Sequence, residues 1–490
     1  MQLTGHWAST SRRSKMASRN TSSDARQTSS SVGSTAGPWR TANWNVHRMA
    51  EYIQRWACLL LVLFPFTSHA DPVAFPLRVS ENHRYLEDAS GKPFLVTGDA
   101  AWSLIGELSR EEADKYLADR QKRGFNTILV SLIEHRFSRK APRNFYDRDP
   151  FLAKGDFSQP NNAYFDDADW ILQKAQERGF LVLLVPSYLG AGGGDEGWYK
   201  EMEAAGPAAL KSYGRYLGQR FRKYKNIVWV QGGDYNPPDH VLVNAIAEGL
   251  AETNPEALQT VHGSPDTDIQ RMWAEAKWLS FDTLYTYDEV EDKALERYTS
   301  NAKAPFLFIE GAYEGEHDST EQSLREIAYG ALLGGASGQI FGNNPIWHFS
   351  GPGLFDTKDS WEVALGSRGA QSIGYLKHFF DALPWWKLEP EQGRLLVDPD
   401  TLFPGTAFGS MAKDGSLAVI YVSGRSDVAI NSAVLAPHAK RARWYDPASG
   451  KYTDAAEQKT QRRETVTFEV PAAQNAAGYT DWLLVFGDRG

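Results

Sequence analysis

One pattern governs what this chain can become: between about residues 77 and 388, short apolar runs and amphipathic segments take turns eight times. An apolar run of four to eight residues bounded by turn signals reads as a strand buried on both faces. Strands separated by helices form parallel sheets, because parallel neighbours need a long crossover. The expected strands are 94–98, 126–133, 180–186, 227–231, 258–262, 281–287, 305–310 and 338–342. Ser109 opens the first intervening helix, which has acids early and bases late and stops at Gly124. Further helices are expected at 167–178, 208–225, 241–252, 268–278, 292–300, 319–333 and 367–383.

Eight strands and eight helices in about 310 residues is the arithmetic of a TIM (β/α)8 barrel. A doubly wound sheet is the main competitor, but no glycine-rich phosphate turn follows the first strand. After Trp385-Trp386 the pattern changes. Short alternating runs at 417–422, 444–445, 466–470 and 482–486 are separated by turns such as AKDG and YDPASG. The chain therefore divides into an α/β barrel over 71–388 and a small C-terminal antiparallel β-sandwich over 389–490. A length of 490 residues fits one large domain with an accessory one.

The N-terminus stands apart. Residues 1–48 are Ser/Thr/Ala/Gly-rich with scattered Arg and no apolar period, which reads as disorder or as an extension from an over-early start. Residues 49–70 carry flanking Arg48 and Arg55, the apolar run ACLLLVLFPF and the small-x-small site Ser68-His69-Ala70. That is the form of a secretory signal peptide, and its apolar run is too short for a stable membrane anchor. The single cysteine, Cys58, lies inside this run, so the mature chain would hold no disulfide, thiol nucleophile or Cys-ligated metal. Secretion or a bacterial periplasm is the expected location. A formal charge of -9 argues against nucleic acid or an anionic membrane as partner. It leaves an acidic glycan open, because a local Arg/Lys cluster can reverse the sign within a cleft.

Barrels of this kind place their active sites at the carboxyl ends of the strands. Two carboxylates stand there: Asp234, after Val-Gln-Gly-Gly on strand four, and Glu310, closing Phe-Leu-Phe-Ile on strand seven. A lone strand-end carboxylate is more often a cap or an ion-pair partner. Two of them on facing strands supply what glycosidic cleavage needs, one to protonate the leaving oxygen and one to attack the anomeric carbon or activate water. Gly232 and Gly233 strengthen the pairing, since they permit a sharp turn and close substrate approach. Other strand-end residues suit a sugar subsite, aromatics for stacking and polar groups for hydroxyls: Asp99, Trp102, Glu134, His135, Tyr188, Gln231, Asn236, His262, Tyr285, Tyr287, Asn343 and Trp347. His135, His262, His317 and His348 lack HExxH or comparable spacing, so neither metal nor other cofactor is expected.

The segments VTGDAAW at Asp99–Trp102, WVQGGDYN at Asp234 and FIEG at Glu310 resemble the apiosidase-like catalytic domain of glycoside hydrolase family 140. The tail WYDPASG at 444–450 is similar to a module, named for collagen binding, that accompanies that domain. The resemblance implies a retaining mechanism with Asp234 as acid/base and Glu310 as nucleophile. It also implies release of apiose or a related furanosyl sugar from a pectic side chain such as rhamnogalacturonan II. Many barrel hydrolases carry Asn-Glu at the end of strand four, whereas this chain has Gly233-Asp234, so a shorter acid must reach the leaving oxygen. Nothing in the tail suggests a collagen groove, and packing against the barrel is the expectation. The partner is thus an oligo- or polysaccharide substrate. A non-catalytic glycan-binding protein using the same cleft is the alternative. Peptide hydrolysis lacks a thiol, a zinc motif or a G-x-S-x-G elbow.

Overall fold

The computed structural model describes residues 73–300, 304–391, 393–397, 405–459 and 464–487. The expected N-terminal extension and signal peptide lie outside these residues. Eight parallel strands form the central sheet: β1 (Val96–Ala100), β2 (Thr127–Ser131), β3 (Leu181–Val185), β4 (Ile227–Gly232), β5 (Gln259–His262), β6 (Asp282–Tyr285), β7 (Phe306–Glu310) and β8 (Gly338–Phe341). Their order, β5-β4-β3-β2-β1-β8-β7-β6, brings β8 back beside β1. The remaining seam between β5 and β6 is closed by threonine hydroxyls. Thr260 Oγ1 donates to the Phe281 carbonyl at 2.7 Å, and Thr283 Oγ1 donates to that of Val261.

Every residue of these strands is buried, as expected where both faces are covered. Alternate side chains separate into two cores. Val96, Leu129, Leu183, Val230, Leu307 and Ile340 fill the barrel. Ile128, Val130, Leu184, Trp229 and Val261 pack outward against the helices. A three-stranded antiparallel sheet built from Arg78–Val79, Leu86–Glu87 and Pro93–Phe94 adds Leu77, Leu86 and Phe94 to the inner core.

The outer layer comprises α1 (Arg110–Lys122), α2 (Asn162–Glu177), α3 (Tyr199–Phe221), α4 (Val241–Thr253), α5 (Val290–Ser300), α6 (Glu321–Leu333) and α7 (Arg368–Asp381). Ser109 forms a capping box with Glu112, as the sequence suggests. Two helices begin five or more residues earlier than expected. Asn161 caps α2 through the Ala163 amide, and α3 runs through a kink at Gly206-Pro207 that its sequence reads as a start. The long helix expected at 268–278 is a single turn, Ile269–Met272, capped by Asp268. No helix among the described residues is long and apolar enough to cross a membrane.

Beyond the barrel, one antiparallel sheet of six strands, among them Thr406–Ala412, Ala418–Ser423, Ala442–Asp446 and Trp482–Phe486, faces a second of three. The six-stranded sheet has two buried faces. Ile420, Val422, Trp444 and Leu484 face the sandwich core, while Val419, Tyr421, Tyr445, Leu483 and Val485 join the core of the barrel helices. Arg325 of α6 grips Asp481 with two bonds of 2.7 and 2.8 Å, both side chains buried. Tyr421 stacks on Tyr329, and the Tyr445 hydroxyl donates to the Tyr375 carbonyl of α7.

Candidate active site

Two different backbone devices bring Asp234 and Glu310 to the barrel mouth. β4 ends at Gly232, and Gly232, Gly233 and Asp234 all take positive φ, 88°, 122° and 52°. A Cβ on Gly232 would lie 2.5 Å from the His262 carbonyl oxygen, and one on Gly233 2.3 Å from the Tyr188 ring. Glycine is therefore required at both positions. The turn carries Asp234 two residues past the end of its strand. Left-handed backbone at Asp234 itself is local strain held by its surroundings.

Glu310 is the last residue of β7. Phe306 and Phe308 pack outward while Leu307 and Ile309 point inward, so strict alternation would turn Glu310 outward as well. The ladder with β6 slips here: Phe308 pairs with Leu284, but Glu310 pairs with Tyr285. This bulge re-aims the carboxyl toward the mouth.

Three residues hold the two acids. The Tyr188 hydroxyl donates to Asp234 Oδ2 at 2.6 Å. His262 Nε2 meets Glu310 Oε2 at 2.6 Å, and Tyr313 hydrogen-bonds the same carboxyl. Trp102 donates its indole N–H to the Tyr313 hydroxyl at 3.0 Å, and its ring contacts both Tyr188 and His262. Burial and the facing Asp234 push the Glu310 carboxyl above its ordinary range, while the His262 and Tyr313 bonds pull it back. Burial would depress His262, but its bond to Glu310 and the nearby carboxylate charges hold its imidazole pKa up. Each partner thus favours the charged form of the other. Burial and the neighbouring carboxylates also raise Tyr188, which therefore stays a phenol and a donor. Asp234 Oδ1 is buried and without a hydrogen-bond partner among the described residues.

Asp234, His262 and Glu310 each offer one atom within 4.8 Å of the others, a spacing that a cation could also use. Two ligands on one metal at 2.0–2.2 Å stand about 3 Å apart. The 2.6 Å His262–Glu310 contact is shorter and is a hydrogen bond.

Around the pair opens a cleft of about 330 Å³. Six of the residues expected at the site line it: Trp102, Glu134, Tyr188, Tyr285, Tyr287 and Trp347. His262 lies fully buried beneath the pair. Glu134 reaches the wall, but its Oε1 accepts the backbone N–H groups of His135, Arg136 and Phe137, so it chiefly shapes the loop after β2. Five expected residues stand elsewhere. Asp99 faces the helix layer, where Arg120 Nε and the Tyr116 hydroxyl each bind it at 2.7 Å. β1 starts two residues later than expected, so Asp99 lies within the strand and on its outer face. Gln231 also points outward and donates to Gln259 of β5 at 2.9 Å. His135 meets Glu201 and the edge of Trp198 behind the cleft wall. Asn236 ties its loop to Thr267 and Ser264, and Asn343 donates to Glu314.

The loop after β7 supplies three cleft residues that the strand-end rule passes over, Tyr313, Glu316 and His317. Glu316 accepts the Trp347 indole N–H at 3.0 Å. Burial raises its carboxyl from 4.5 to about 7, the Glu310 charge adding and the Trp347 bond opposing. Their nearness to Glu310 in sequence was the available signal.

The family model for the apiosidase-like catalytic domain matches residues 80–387, all eight strands and both mouth carboxylates included. The chain belongs to the apiosidase-like family. This apiosidase-like protein is accordingly a glycoside hydrolase. Residues 408–487 match a model named for the collagen-binding domain of a collagenase. Solved structures share the fold. One described as a glycoside hydrolase is 23% identical, covers 85% of this chain and 97% of its own, and superposes with a TM-score of 0.73. A glycoside hydrolase family 5 protein from Bacteroides vulgatus is also 23% identical, with coverage of 84% and 93% and a TM-score of 0.72. A search of curated proteins gives no match.

Proposed function

We propose that this apiosidase-like hydrolase is a retaining, exo-acting glycosidase that releases a terminal furanosyl residue, apiosyl in the first instance, from a plant cell-wall pectic glycan. Glu310 is the nucleophile and Asp234 the acid/base. The observation that carries this reading is the approach of the two carboxyls, whose oxygens come within 4.8 Å across the cleft. Retaining enzymes hold the pair about 5–5.5 Å apart, and inverting ones about 6.5–9.5 Å, to leave room for water.

In the first step Glu310 attacks the anomeric carbon, the glycosidic bond breaks, and the Asp234 proton passes to the leaving oxygen. In the second, Asp234 takes a proton from water, whose oxygen replaces Glu310 on the sugar. His262 and Tyr313 supply hydrogen bonds that orient the Glu310 carboxylate and keep it ionised beside a second acid. Tyr188 donates to Asp234 Oδ2 and so fixes the orientation of the acid/base carboxyl. Trp102, Tyr285 and Trp347 offer ring faces for the sugar. Export follows from the leader pattern at 49–70, with Asp71 as the new N-terminus.

Proton NMR of the first-formed product tests the mechanism: the released sugar should keep the anomeric configuration of the substrate, and initial inversion would sink it. With an activated aryl leaving group, Asp234→Asn should be rescued by azide and yield a glycosyl azide, whereas Glu310→Gln should not.

A further inference from the structure

The strand that places Trp102 at the mouth also holds it rigidly. Val96, Ala100 and Trp102 share the inner face of β1 and its extension, as period-two alternation requires. Past the end of the strand the Ala101 amide donates to the Leu129 carbonyl at 2.8 Å, and the Trp102 carbonyl accepts the Ser131 amide at 2.9 Å. The indole therefore hangs from a continuation of the β1–β2 ladder and is only 8% exposed. Its ring contacts Tyr188, which holds Asp234, and His262, which holds Glu310, at centroid separations of 5.7 and 5.5 Å.

The one N–H of that ring goes to a third holder. The Tyr313 hydroxyl oxygen accepts it at 3.0 Å, and the same hydroxyl donates to Glu310. The Tyr313 ring is itself clamped, since a Cβ on Gly342 would lie 2.2 Å from its Cδ1. What stays free in such a side chain is the direction of the phenolic proton. An oxygen that accepts an N–H turns its own proton away from that donor, and the polarised O–H becomes the stronger donor. Here the acceptor waiting for it is Glu310. The other titratable groups around that carboxyl are engaged elsewhere or oppose its charge. Tyr188 donates to Asp234, Tyr285 and Tyr287 bond each other, and Asp234 and Glu316 are acids. His262 and Tyr313 are left to favour its ionised form.

We propose that Trp102 is a positioning residue whose N–H turns the Tyr313 hydroxyl onto Glu310 and so holds the nucleophile in its attacking orientation. This rests on the glycosidase reading above and gives Trp102 a role distinct from the ring face it offers the sugar. The two roles separate chemically: stacking needs only the bicycle, and the relay needs only the N–H. No proton changes owner in the relay. A donor held on the carboxylate also favours its ionised form, so the relay acts on the acidity of Glu310 as well as its aim.

The test uses the full chain and a 4-nitrophenyl glycoside, chosen from a panel of furanosides and pyranosides as one the parent cleaves. Trp102 is replaced by benzothienylalanine, which keeps the bicycle and lacks the N–H. Tyr313→Phe is made alone and in combination with it. Loss of the N–H should lower kcat/KM about tenfold, the scale of one hydrogen bond to a charged group. It should also move the acid limb of kcat/KM upward by about half a pH unit, a shift that a merely structural indole would not produce. Tyr313→Phe should cost more, about 100-fold, and move the limb at least as far. The combined variant should match Tyr313→Phe alone, because the relay has already lost its carrier. An acid limb that stays in place in either single variant, or losses that multiply in the combined one, would overturn the inference and leave the glycosidase standing. A parent that releases nitrophenol from no member of the panel would overturn both.

Discussion

Two regions of this molecule bury carboxylates, and they neutralise them by different means. Facing the helix layer, three fully buried acids each have a guanidinium: Asp99 has Arg120, Asp282 has Arg297 and Asp481 has Arg325. At the barrel mouth, Asp234, Glu310 and Glu316 are met by phenols, an indole and one histidine. A guanidinium is a permanent charge that holds its partner ionised and occupied, which suits a fixed strut. Neutral donors and an imidazole position a carboxyl while leaving its proton free to move, which suits chemistry. The difference separates acids locked into fixed ion pairs from acids held by groups that leave a proton free to move.

The largest test of this division is Glu310→Gln, which should lower kcat by roughly 10⁴-fold or more with no loss of thermal stability. A variant that retains activity would erase the distinction. Next is Arg325→Met, which strands Asp481 in the interior. Denaturant unfolding should register a loss of about 3–5 kcal/mol, while kcat of the folded fraction at 25 °C stays near that of the parent. A smaller effect is expected in the pH profile. Glu310 must be ionised to attack, so activity falls as pH drops through its raised pKa, and the acid limb of kcat/KM should lie above the ordinary carboxylate value of about 4.3. His262 pulls Glu310 down, so His262→Gln should move that limb upward by about one pH unit. The smallest concerns Glu316, raised from 4.5 to about 7 in the fold. A raised folded value means stability is present below 4.5 and lost as pH climbs through 7. Glu316→Gln removes that loss, so the variant should be more stable than the parent by about 1 kcal/mol at pH 8, after allowance for solvent, and should show no such gain at pH 4. Equal stability of the two at pH 8 would place Glu316 in water.

The barrel was legible because strands buried on both faces write continuous apolar runs, and because caps such as Ser109 mark helix starts. Boundaries slipped where one local contact decides them, as at Asn161 and at the Gly206-Pro207 kink. Within the site, strand-end position found both mouth carboxylates and most aromatic walls. It failed wherever facing mattered. Asp99 and Gln231 sit near strand ends yet point to the helices, since alternate residues of one strand serve different cores. Glu310 reaches the mouth only through a register slip, and no feature of FLFIEG announces a bulge. Cleft charge was harder still. The sequence left room for a cationic patch, and only the folded loops show which side chains converge.

The second face of the six-stranded sheet has a consequence for the life of the chain. Val419, Tyr421 and Tyr445 complete a core that α6 and α7 begin, so the barrel stopped near residue 388 would expose a slab of apolar surface and the stranded guanidinium of Arg325. Folding must therefore wait for the last strand, Trp482–Phe486, to emerge before the outer layer can close. A truncated copy would keep that face open and stand exposed to aggregation and proteolysis.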